Sequence, residues 1–136
     1  MKSVFFVFMI LLITICLLPA APIEAQEAIS LKVAEAVICK NLVDRTPVDV
    51  GNSFRASAGK LYCFTRITGA QEPTEITHAW YFDKTQWAWV TLKVGSASWR
   101  TCSSKIIQPH QVGLWHVDVL GPDGNLLWTL EFEITP

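Results

Sequence analysis

Glu75-Ile76-Thr77-His78-Ala79-Trp80-Tyr81-Phe82, then Asp83-Lys84-Thr85, then Gln86-Trp87-Ala88-Trp89-Val90-Thr91-Leu92-Lys93-Val94 is the stretch on which the fold turns. After a Gly/Ser break it continues as Ser98-Trp99-Arg100-Thr101-Cys102-Ser103-Ser104-Lys105. Two runs rich in β-branched and aromatic residues flank a short polar break, which is the pattern of a hairpin. The third run is expected to return beside it. In the first arm Ile76, His78, Trp80 and Phe82 share a face, opposed by Thr77, Ala79 and Tyr81. In the second arm Ala88, Val90, Leu92 and Val94 form the face a core would take. Trp87 and Trp89 then fall on the solvent side with Thr91 and Lys93. Two tryptophans there would make a flat aromatic patch with a pitch of about 7 Å, a platform for a sugar ring or a partner's apolar side chain.

Outward from this stretch the same period holds. Lys60 to Ile67 alternates with apolar residues on both faces, Tyr62 and Phe64 against Leu61, Cys63 and Ile67, which predicts a central strand covered on both sides. Val33 to Cys39 reads as an earlier strand. Asn41 to Asn52 reads as a connection with turn chemistry at Asp44-Arg45-Thr46-Pro47 and with Val48 and Val50 as candidates for a short strand, and Pro47 argues against a central strand there. Val112 to Leu120 places Trp115, Val117 and Val119 inward. Gly121-Pro122-Asp123-Gly124-Asn125 is a turn, and Leu126 to Ile134 alternates with a wet face of Thr129, Glu131 and Glu133. About seven strands with turns near every ten residues predict an all-β, antiparallel, immunoglobulin-like β-sandwich.

The N-terminus reads as an export signal. Lys2 precedes an almost unbroken apolar run from Val4 to Leu18, and Ile23-Glu24-Ala25 ends on a small residue. The run falls short of the ~20 residues that cross a bilayer comfortably. Residues 1–25 are therefore expected to be a cleaved signal peptide, with Cys16 an ordinary apolar member of it. The alternative is an uncleaved anchor, the one route by which the chain would touch a membrane. Residues 26–136 then form a single domain, large enough to hold a core, working in the periplasm or outside the cell.

The chain has 11 basic and 12 acidic residues, a formal charge of −1. Losing Lys2 and Glu24 with the signal leaves that balance intact. It argues against nucleic acid, which calls for a basic face. Cys39, Cys63 and Cys102 remain after export, an odd number. Either Cys39 and Cys63 pair as a disulfide and one thiol stays free, or all three are buried thiols. No Cys-x-x-Cys signals zinc or redox chemistry. No cofactor is implied, and nothing sets an oligomeric state.

Several short motifs stand in one order: Asp44-Arg45-Thr46-Pro47-Val48-Asp49, Leu61-Tyr62-Cys63-Phe64-Thr65, His78-Ala79-Trp80-Tyr81, Trp99-Arg100-Thr101-Cys102-Ser103-Ser104-Lys105, Gly113-Leu114-Trp115-His116-Val117 and Asp123-Gly124. Together they resemble the bacterial domain-of-unknown-function family 2914. The resemblance implies a small extracytoplasmic β domain, often at the end of longer envelope proteins, and carries no catalytic residue. Trp87 and Trp89 stand where family members tend to place polar residues.

For chemistry, Ser103, Ser104, His78, His110, His116, Asp83 and Asp118 are available to a hydrolase, but no motif gathers them. His116 and Asp118 share a strand face without completing a metal site. His78 is either a hydrogen-bonded core histidine or a ligand contact. Arg100 and Lys105 are either an anion grip or, for Arg100, a strand-surface arginine packed on a ring or paired with Glu131 or Glu133. The expectation is a non-catalytic binding module for an envelope protein. The alternative is binding of carbohydrate or a cell-wall polymer through Trp87, Trp89 and Arg100, and a hydrolase is more distant.

Overall fold

The computed structural model describes residues 30–136, so the signal segment 1–25 with Cys16, and the start of the expected domain at Gln26, lie outside the described residues. Nine strands follow: β1 (Lys32–Val43), β2 (Thr46–Gly51), β3 (Ser53–Arg55), β4 (Lys60–Thr68), β5 (Thr74–Phe82), β6 (Thr85–Val94), β7 (Ser98–Ile106), β8 (Gly113–Leu120) and β9 (Leu126–Thr135). The one helical piece among the described residues is a short 3-10 turn, Ala56–Ala58. The strands form two sheets, ordered β2-β1-β4-β7 and β3-β9-β8-β5-β6. Every pairing is antiparallel except β3 with β9.

β5 and β6 form the expected hairpin, closed by Asp83-Lys84 with Asp83 at φ 55°, a left-handed conformation that aspartate tolerates. β7 does not return beside it, which corrects the sequence reading. It crosses to the other sheet and pairs along its length with β4. β4 thus lies between β1 and β7, and the doubly apolar pattern at Leu61 to Ile67 did mark a central strand.

The second correction concerns Asn41 to Asn52. β1 runs to Val43, turns at Asp44-Arg45 and returns as β2. Both turn residues have positive φ, 50° and 61°, as in a type I′ hairpin turn, where Asn-Gly is the usual pair. The turn falls where the sequence placed turn chemistry, and the correction is that the segment after it is a six-residue strand paired with β1. Pro47 is accommodated because β2 is an edge strand, as its missing N–H requires. The hairpin also bends. β1 stays paired with β4 as far as Cys39 opposite Tyr62. Yet Leu42 shares a cleft with Phe64, and Arg45 shares one with Arg66 further back along β4. The tip has folded back over the outer face of the four-stranded sheet, and Cys39 and Phe64 on that face are buried.

The core lies between the sheets. Ile38, Leu61 and Cys63 from the four-stranded sheet pack against Trp80, Trp115, Val117, Phe132 and Ile134 from the other. The ring of Phe132 sits edge-on to Trp80 at 6.1 Å and stacked with Trp115 at 5.9 Å. Burying each such aromatic contributes about 2–3 kcal/mol. Toward the other end Leu31, Ile67, Ile76, Val94 and Val119 form a second cluster, with Trp99 against it. Gly95 is required there, since a Cβ would stand 2.9 Å from the Trp99 ring.

Candidate functional site: an aromatic outer face and a buried histidine

β5 places its residues on both faces of its sheet. Inward go Ile76, His78 and Trp80, all fully or almost fully buried. Outward go Ala79 and Tyr81, opposite Trp89 and Gln86 of β6 and opposite Asp118 and His116 of β8. Trp89 is 53% and Trp87 48% exposed, while Ala79 is wholly covered. Ala79, the small cross-strand neighbour of Trp89, leaves room for the ring on that face. Trp87 occupies an irregularity: Trp80 pairs with Ala88, but the next residue, Tyr81, pairs with Gln86. Trp87 is the extra residue of that bulge, and the bulge aims it outward.

Beside the tryptophans runs a polar strip. Tyr81 donates its hydroxyl to Gln86 Oε1 at 3.2 Å. Its ring stacks on His116 at 4.6 Å with the planes 4° apart. His116 Nε2 lies 3.9 Å from Asp118 Oδ2, and Asp118 Oδ1 accepts a hydrogen bond from Thr129 at 2.9 Å. Tyr81 and Gln86 were not singled out in the sequence, and nothing there shows the stack, which depends on the register of β5 with β8. His116 and Asp118 gain no third metal ligand, and no group of three such residues converges among the described residues.

His78 points the other way, into the core. Its Nδ1 lies 2.7 Å from Ser103 Oγ and its Nε2 3.0 Å from Thr65 Oγ1. Trp80 Nε1 also donates to Ser103 Oγ, at 3.0 Å. The indole can only donate, so Ser103 accepts there and gives its own hydroxyl hydrogen to His78 Nδ1. The ring proton then sits on Nε2 and donates to Thr65. Two residues of each sheet are joined in this way with every polar atom satisfied. Burial pushes the His78 imidazole down to about 4, so it is neutral at physiological pH. A serine and a histidine do meet here. Both are buried, however, and the serine oxygen is held by the indole, so the pair ties the sheets together and faces no ligand.

The remaining expected residues separate. Arg100 is on the outer face of the four-stranded sheet, directly opposite Arg66. Lys105 is of opposite parity on the same strand, and its Nζ donates to the Ile106 carbonyl at 3.1 Å, so it does not join Arg100. Glu131 and Glu133 belong to the other sheet and do not reach Arg100 either. The disulfide is not formed: Cys39, Cys63 and Cys102 are free. Cys63 is paired with Ile38 and Cys39 with Tyr62, so consecutive register positions send the two thiols to opposite faces of the sheet.

Among the described residues no helix is long and apolar enough to cross a membrane. Residues 73–134, from the residue before β5 to near the end of β9, match the model of a family described as a protein of unknown function (DUF2914). The resemblance is thereby shown over the part of the chain that holds His78, Trp87, Trp89 and Arg100. No curated protein matches the chain.

Proposed function

We propose that the chain is an exported, non-catalytic binding module of the bacterial envelope, built as an immunoglobulin-like β-sandwich, whose aromatic outer face docks a partner protein. The observation that carries this reading is the placement of Trp87 and Trp89, half exposed on the outer face of the five-stranded sheet. Large aromatics ringed by polar groups are the usual make-up of an interface centre. Here the rim is the strip from Gln86 through Tyr81 and His116 to Asp118. The export half of the reading rests on residues 1–25.

The immunoglobulin-like assignment is supported by the strand order and by the parallel contact between β3 and the last strand. It is supported also by Trp80. In antibody domains a tryptophan packs against the disulfide that joins the sheets. Trp80 occupies the same cluster as Cys63 of β4, but β8 offers Val117 there and no cysteine. The core is filled by aromatics in place of a cross-link.

The polar strip favours a second reading, a glycan stacked on the tryptophans with its hydroxyls on Gln86, Tyr81 and Asp118. One experiment addresses both. The chain and its Trp87→Ala/Trp89→Ala variant are immobilised and exposed to envelope extract, and each is titrated with cell-wall glycans while tryptophan fluorescence is followed. A protein retained by the wild type and lost by the variant is the expected result. A glycan-dependent fluorescence change confined to the wild type would select the second reading. Equal behaviour of both chains would remove the aromatic face from the function.

A further inference from the structure

Four cations meet at one corner of the fold, three arginines over the four-stranded sheet and Lys93 from β6 of the other. Arg66 of β4 and Arg100 of β7 are direct cross-strand partners on the outer face of the four-stranded sheet. Like charges in that relation repel each other. The folded-back hairpin tip then adds a third: Arg45, Arg66 and Arg100 line one cleft of about 500 Å³ together with Ser98 and Trp99. An adjoining cleft of about 470 Å³ shares Arg45, Trp99 and Arg100 and adds Lys93 and the apolar Leu42 and Phe64. Lys93 Nζ stands 5.9 Å from the centre of the Trp99 ring.

Among the described residues no carboxylate closes an ion pair with them. Glu35 is in register with Arg66 and Glu75 with Lys93, but neither forms an ion pair. Among the described residues the one pair within ion-pairing distance is His116 with Asp118. The chain is nearly neutral, so this is a local concentration and not a general excess. Arg45 is moreover held at φ 61°, where a long side chain is uncommon. An anion held among these side chains would offset that repulsion.

We infer that this corner binds a ligand bearing an oxyanion, a phosphate or carboxylate, attached to a ring or apolar stem. The planar guanidinium forks of Arg45, Arg66 and Arg100 suit such a group bidentately. Trp99, Leu42 and Phe64 give the apolar part a surface, and the volume is that of an ordinary ligand site. Its three arginines stand on the other sheet from Trp87 and Trp89, with only Lys93 drawn from β6, and the site does not depend on the reading given to those tryptophans.

The test uses the full chain with phenyl phosphate, inorganic phosphate and benzoate at matched ionic strength in chloride, read by calorimetry and thermal unfolding. Phenyl phosphate or benzoate should bind saturably and raise the melting temperature, and the preferred one of the two identifies the oxyanion. Inorganic phosphate should bind more weakly than phenyl phosphate. Arg66→Gln and Arg100→Gln should each weaken binding about tenfold or more, the scale of a lost charge-assisted hydrogen bond. Lys105→Gln, the same change of charge on the same strand, should leave binding unaltered. With no ligand present, Arg100→Gln should melt no lower than the wild type, because it removes a repulsion. The inference is overturned by absence of saturable binding, by binding that survives both arginine substitutions, or by an equal loss in Lys105→Gln. It is overturned too if Arg100→Gln melts well below the wild type without ligand, which would make Arg100 a support of the fold.

Discussion

Acid should unfold this protein partly through one side chain. Burial holds the His78 imidazole at about 4 in the folded state, whereas the unfolded chain binds its proton near the ordinary 6.5. Between those values the unfolded state carries a proton that the native state refuses. Stability from this group is therefore complete above about pH 6.5 and falls as pH falls, by about 1.4 kcal/mol per pH unit, to a total near 3 kcal/mol at pH 4. That is a large share of the ~5–15 kcal/mol by which a domain of this kind is stable. The groups facing the ring do not titrate in this window: Thr65, Ser103 and Trp80 are its hydrogen-bonded neighbours, and Val90 and Val119 its register partners. Carboxylates elsewhere also lose stability toward pH 4, so the assay is a comparison. Urea unfolding is followed at pH 7.0, 6.0, 5.0 and 4.5 for the wild type and for His78→Gln. The variant will be less stable at pH 7, but its loss between pH 7.0 and 4.5 should be smaller than the wild type's by about 2 kcal/mol. Parallel losses in the two chains, or a His78 ring that titrates near 6.5 by NMR, would refute the reasoning.

Other outcomes follow from the same geometry. Ser103→Ala leaves both the Trp80 indole and His78 Nδ1 without a partner and should cost about 2–4 kcal/mol in urea unfolding at pH 7. Arg45→Gly relieves the left-handed turn position and should stabilise the fold by about 1 kcal/mol while weakening the oxyanion site. Trp87→Ala and Trp89→Ala, each truncating a half-exposed ring, should destabilise by no more than about 1 kcal/mol, so that their effect on partner retention is not one of folding. In the folded chain a thiol reagent should modify Cys102 alone, with Cys39 and Cys63 reacting after denaturation, and reductant should leave the melting temperature unchanged. A melting temperature lowered by reductant would contradict the free-thiol arrangement.

How much of this was legible in the sequence differs from strand to strand. Where one face is wet and the other dry, as at Val112 to Leu120 and along Trp87 to Val94, simple alternation gives the strand and its orientation, and the structure agrees with both. β4 was legible as a central strand because both its faces are apolar. The failures have a common cause. The turn at Asp44-Arg45 was legible, but the strand after it holds Pro47 and only Val48 and Val50 as strand formers, so its pairing with β1 was not. β7 was assigned to the wrong sheet because an isolated strand's pattern does not name its partner. The pairing of β7 with β4 appears only in the register of the folded sheet. The Cys39–Cys63 pairing failed for the same reason, since only the register reveals that consecutive positions face opposite ways.

The candidate sites divide along the same line, and the division bears on function. Trp87 and Trp89 were found because they violate the pattern of their own strand, and a single strand is enough to reveal such a violation. The basic corner violates a rule that exists only between strands. Arg66 looks like an ordinary polar residue on β4 and Arg100 like one on β7, and each is unremarkable until β4 and β7 are set side by side with the hairpin tip above them. Sequences that specify a fold keep their local choices consistent with it, and departures from consistency gather where a protein does something besides fold. Like charges placed face to face and an arginine in a left-handed turn are such departures, and neither is needed to close the core beneath them. The two outer faces of this domain thus each carry residues that the fold does not explain, apolar ones over β6 and cationic ones over β7.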